Sequence, residues 1–114
     1  MTRGPDLLLQ DILDSIELIE RYVRDVGWDA FEEDVQLQDS VIRRLEIIGE
    51  AVKGLPPGLR AAHPDVPWRA IAGLRDILIH QYARVDLSLA WATISRALPR
   101  LKGQIREILR ADDR

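Results

Sequence analysis

Arg75 and His80, in the run Arg75-Asp76-Ile77-Leu78-Ile79-His80-Gln81-Tyr82, are the residues of this chain best equipped for chemistry. A guanidinium offers a permanent, forked positive charge that matches phosphate oxygens. An imidazole is the one side chain whose unperturbed pKa lets it both take and release a proton near neutrality. Those two abilities are what scission of an RNA phosphodiester needs without a metal: charge stabilisation at phosphorus and proton transfer at the flanking oxygens. The spacing alone is a weak signal, because an arginine five residues before a histidine arises by chance in many chains.

The rest of the inventory narrows the chemistry. There is no cysteine, so neither a disulfide framework nor a thiolate nucleophile is available. The only other histidine is His63, in the turn Ala62-His63-Pro64-Asp65, and no helical pairing of histidines marks a metal site. A metal-free, cofactor-free reaction is the expectation. Met1-Thr2-Arg3-Gly4-Pro5-Asp6 passes directly into an acidic amphipathic stretch, and no apolar run reaches the roughly 18 residues of a membrane span. A cytoplasmic protein is expected.

Net charge is only −3, unlike that of a strongly basic nucleic-acid binder. Its distribution says more. Residues 1–59 carry 6 Lys and Arg against 13 Asp and Glu, whereas residues 60–114 carry 10 against 6. Such a chain can turn a cationic face to a polyanion, or let opposed helices neutralise one another within one bundle. Arg69, Arg75, Arg84 and His80 form the local cationic cluster that an RNA would meet, with Arg69 and Arg84 as binding residues. Arg43-Arg44 either joins them or forms a solvated ion-pair face with Glu46 and Glu50. Arg75 itself has a structural alternative, an ion pair with Glu46 or Glu50.

Helical periodicity supplies the elements. Leu8, Ile12, Ile16, Ile19, Val23 and Val26 form an apolar stripe on a charged first helix, which Gly27-Trp28-Asp29 interrupts. Asp29 can cap a second helix whose core face holds Phe31, Val35, Ile42, Leu45, Ile48, Val52 and Leu55. Pro56 to Pro67 is a connector with room for one helical turn from Leu59 to His63. Pro67 suits the start of a third helix through Trp68, Ile71, Leu74 and Leu78. Asp86 caps a fourth, with Leu87, Trp91, Ile94, Leu98, Leu101, Ile105 and Ile108 at alternating steps of 4 and 3 and a kink at Pro99. Trp28, Trp68 and Trp91 read as packing residues, with base stacking a second use for Trp68. Strands are not expected. The fold class is all-α, an antiparallel four- to five-helix bundle, and the 114 residues suffice for one domain with a core.

On an ideal helix His80 lies about 140° round from Arg75, so the two do not share a face. A loosened helix near Gln81, a bent arginine, or a second copy across a two-fold axis would bring them together. The last needs no additional sequence, because a two-fold makes one patch face itself.

Leu45-Glu46-Ile47-Ile48-Gly49-Glu50-Ala51, Pro67-Trp68, the run Gly73 to Tyr82, Val85-Asp86, Trp91 and Leu98-Pro99 together resemble the HepT-like toxins of the HEPN ribonuclease superfamily, in order and over nearly the whole chain. Asp76 stands where close relatives often carry asparagine. The resemblance implies a homodimeric, metal-independent endoribonuclease, the toxin of a prokaryotic toxin–antitoxin pair whose antitoxin is a minimal nucleotidyltransferase. It makes Arg75 and His80 the catalytic pair, gives Asp76 a supporting role, and marks Tyr82 as the tyrosine that receives adenylyl groups. Gly49 reads as a site of close helix contact. The competing reading is a non-catalytic helical module that binds a nucleotidyltransferase and contacts nucleotide.

Overall fold

The computed structural model describes residues 4–80 and 84–112. Two long helices form its backbone. Helix α1, Pro5–Tyr22, starts with a proline whose missing N–H would be unbonded there anyway, and carries Asp6 in its first turn and Arg21 in its last, both favourable to the helix dipole. It buries Leu8, Leu9, Ile12, Leu13, Ile16 and Ile19, a wider face than the stripe predicted. The helix stops earlier than Val26, because the chain turns through Asp25 at φ 62°, a left-handed conformation that aspartate tolerates better than most residues.

The expected second helix is two. Helix α2, Trp28–Glu33, begins after Gly27, so Asp29 sits in its first turn rather than capping it. Helix α3, Val35–Lys53, restarts at Asp34, whose Oδ1 accepts the Leu37 amide at 3.0 Å. Gln38 Nε2 reaches back to the Phe31 and Glu32 carbonyls at 2.9 Å each, satisfying the end of α2. This restart changes the helical phase. Val35, read as a core residue, is 65% exposed, and Val41 is buried instead. Trp28, Phe31 and Trp91 form an aromatic cluster with ring centroids 5.0–6.3 Å apart.

After α4, Pro57–Ala62, the connector is pinned by Trp68. Its indole Nε1 donates to the carbonyls of Arg60 (3.1 Å) and His63 (3.0 Å), and the ring is buried, so Trp68 is committed to packing and not offered to a base. The third helix is also interrupted. Helix α5, Trp68–Ala72, gives way at Gly73 (φ −93°, ψ 6°) to α6, Leu74–Leu78. Beyond it two short strands, β1 (Ile79–His80) and β2 (Arg84–Val85), pair antiparallel with Ile79 opposite Val85 and His80 opposite Arg84. The Asp86 amide donates to the Leu78 carbonyl at 2.7 Å, which satisfies the end of α6 from outside the helix and lets the chain leave in extended form. The expectation of no strand fails at these four residues alone among those described. The fold is otherwise all-α.

Asp86 caps α7, Leu87–Ala92, as expected, accepting the Leu89 amide at 2.9 Å. The rod then continues through a π-helical segment, Thr93–Ala97, into α8, Leu98–Asp112. Pro99 explains the segment: lacking an N–H, it cannot bond Ser95, and the ladder widens so that the Leu98 amide reaches the Thr93 carbonyl. Leu98, Leu101, Ile105 and Ile108 are buried in the same contiguous core as α1 and α3. Lys102 Nζ meets Glu20 Oε1 of α1 at 2.7 Å.

Candidate functional site

The site is assembled where α3 and α6 come close. Gly49 makes this possible: a Cβ there would lie 3.2 Å from the Ile71 carbonyl and 3.4 Å from that of Ala72, so only glycine lets the α5 backbone approach α3 without displacement. One turn before it, Glu46 projects from α3 towards α6. Its Oε2 lies 3.4 Å from Arg75 Nε, while Arg75 Nη1 is 3.9 Å from Asp76 Oδ1. The Arg75 side chain nonetheless remains 59% exposed. It is therefore not buried in the core, and the exposed part of the side chain is open to an anion.

His80 stands in β1, beyond the end of α6. The angular separation drawn for one continuous helix therefore does not apply, because the backbone between Arg75 and His80 passes from helix to strand. Backbone register sets His80 opposite Arg84 on β2. Arg69 is exposed on α5 and lines a shallow cleft with Trp68 and Ile77. Asp76, 82% exposed, touches Arg75 only loosely. Tyr82 lies outside the described residues.

The surroundings divide by charge. Arg43 shares a cleft with Asp11, Glu46 and Glu50 between α1 and α3, which fits the ion-pair alternative for this residue. On the other flank of α6, Leu74 and Ile77 line an apolar groove of about 510 Å³ against α7, the π segment and α8, with Arg96 and Arg100 in its walls. Ile77 is 46% exposed, an unusual position for isoleucine. Arg96 and Arg100, some twenty residues from the motif in sequence, come near its helix only through the fold. His63 contributes its carbonyl to Trp68, and no cluster able to hold a metal occurs among the described residues. No helix among them is long and apolar enough to cross a membrane.

An all-α fold that carries an exposed arginine five residues ahead of a histidine, with a glycine-permitted glutamate behind it, defines a class of helical proteins built around a compact polar motif. The chain belongs to the HepT-like ribonuclease family, of HEPN type: the family model "Ribonuclease HepT-like" matches residues 12–108. Among its relatives, a Thermococcus cleftensis protein named "Probable ribonuclease HepT" is 43% identical over 95% of this chain and 98% of its own length. A Caldanaerobacter subterraneus protein named "Putative RNase" is 42% identical over 96% of this chain and 98% of its own. A Methanocaldococcus jannaschii protein named "Gamma-glutamylcyclotransferase and putative RNase" is 45% identical over the whole chain, which spans about half of that longer relative (51%). No solved structure matches at a significant level.

Proposed function

We propose that this chain is a metal-independent endoribonuclease, acting as a homodimeric helical bundle, one domain per chain, and serving as the toxin of a toxin–antitoxin pair in the cytoplasm. The observation that carries the reading is an exposed Arg75, held at its inner edge by Glu46, five residues before His80 in a chain of the HepT-like ribonuclease family. In this reaction the ribose 2′-oxygen attacks phosphorus, the 5′-oxygen leaves, and a cyclic phosphate remains. His80 takes the 2′-hydroxyl proton or, from the second copy, supplies a proton to the leaving oxygen. Arg75 stabilises the charge that grows on the non-bridging oxygens in the transition state. Arg69 and Arg84 bind flanking phosphates, and Asp76 helps orient the catalytic arginine. A second copy placed across the exposed Ile77 would double this set in one groove, which supports the homodimeric reading.

The proposed neutralisation rests on the position of Tyr82 in the sequence, two residues after His80. A minimal nucleotidyltransferase antitoxin would join the Tyr82 phenolic oxygen to the α-phosphorus of ATP, releasing pyrophosphate. The adenylyl group would bring bulk and negative charge within two residues of His80, where the RNA phosphate must sit.

The test is RNA cleavage by protein expressed free of any partner. His80→Ala is expected to lower the cleavage rate by about 10²–10⁴-fold while leaving dimerisation and thermal midpoint intact. Coexpression with the nucleotidyltransferase should add mass in AMP steps, and Tyr82→Phe should abolish the increase. Wild-type protein that cuts no RNA while binding the nucleotidyltransferase would favour the non-catalytic module instead.

A further inference from the structure

We propose that Glu46 is a positioning residue for Arg75, fixing the guanidinium by its Nε edge so that the outer nitrogens point to the scissile phosphate; the inference rests on the ribonuclease reading above. The contact geometry is selective. Glu46 Oε2 meets Nε at 3.4 Å, whereas Asp76, the other acidic contact of this guanidinium among the described residues, lies 3.9 Å from Nη1 and is 82% exposed. A contact that exposed is strongly screened and holds little. Glu46 is different: its side chain is only 30% exposed, and it stands on α3 between the buried Leu45 and Ile48. Its backbone is fixed against the motif by the approach that Gly49 permits. A carboxylate beside Nε biases the orientation of the planar guanidinium while leaving Nη1 and Nη2 as donors for a phosphate contact.

Electrostatics separates positioning from binding. A carboxylate beside Arg75 weakens the attraction of that arginine for any polyanion, so Glu46 does not help RNA to bind. Its contribution must be to the geometry reached in the transition state. Loss of Glu46 therefore lowers kcat while leaving KM unchanged or smaller; a smaller folded fraction also lowers apparent kcat at constant KM, and an unchanged thermal midpoint separates the two.

The experiment compares Glu46→Ala and Glu46→Gln in the full chain, using a short oligoribonucleotide that the wild type cleaves. The alanine variant should lose about tenfold to a hundredfold in kcat with KM the same or lower and the thermal midpoint unchanged. Glutamine keeps an acceptor oxygen for the Nε–H and should recover part of the loss. In an Arg75→Ala background, Glu46→Ala should cost nothing further, since the group it positions is gone. By ¹⁵N NMR, the Arg75 Nε–H should exchange slowly with water in the wild type and quickly in Glu46→Ala. A wild type that cleaves, paired with a Glu46→Ala variant of equal kcat or of raised KM and intact kcat, overturns the positioning role and leaves the nuclease reading in place. An equal loss in both arginine backgrounds, or an Nε–H that exchanges as fast with Glu46 as without it, also overturns it. Wild-type protein that cuts no RNA removes the nuclease reading and this inference with it.

Discussion

The paired helices α1 and α3, 18 and 19 residues long, differ in kind from the stretch 67–86, whose described residues hold helices of five residues and two strands of two residues each. The long pair buries fully enclosed side chains such as Ile12, Ile16, Val41 and Ile48, each worth about 1.5–3 kcal/mol relative to exposure. The short stretch buries Trp68, Ile71 and Leu78 and leaves Arg69, Arg75, Asp76 and Ile77 open. Regular helix offers many weakly distinguished positions on one face. Broken backbone offers a few exposed ones, which is what a polar motif needs, and the long pair beside it supplies both the buried core and, through Glu46, a contact for Arg75.

Substitutions can sharpen that division. Phe31→Ala removes a fully buried ring from the aromatic cluster that packs against α7 and should cost about 3–5 kcal/mol in urea unfolding, while the cleavage rate per folded molecule stays near wild type. A large loss of rate at unchanged stability from this position would break the division. Gly49→Ala strikes the join between the two regions. Its Cβ must displace the Ile71 carbonyl, so unfolding measurements should show a loss of about 1–3 kcal/mol, and cleavage should fall as well because Glu46 and Arg75 are moved apart. Asp34→Ala unbonds the Leu37 amide and should cost about 1 kcal/mol with no effect on cleavage. Val35→Ser, on an exposed position of the same turn, should change stability by less than about 0.5 kcal/mol; a larger loss would mean that this face is covered in the folded state.

The all-α class, the apolar faces of α1 and α8 and the Asp86 cap were legible because each follows from residues a few positions apart. What escaped depended on groups further away. Asp34 interrupts a pattern that runs smoothly through it, and only Gln38 bonding back to Phe31 and Glu32 makes the interruption stable, so the phase slipped and Val35 was misplaced. Leaving α6 after Leu78 depends on an amide eight residues on, which no periodicity contains. At the site, Arg75 and the choice of Glu46 or Glu50 as its partner were readable from charge alone. Which of the two it meets is visible only in the fold, where Glu46 Oε2 lies 3.4 Å from Arg75 Nε.

The widened turn before Pro99 gives one rod two independent phases. Every residue after Thr93–Ala97 is rotated relative to the unbroken α ladder, so Trp91 can face the Trp28–Phe31 rings at one end while Lys102 meets Glu20 of α1 at the other. Shortening that segment by a single residue would swing one end out of alignment with its neighbour, and the groove beside Leu74 and Ile77, walled in part by the same segment, would change shape with it.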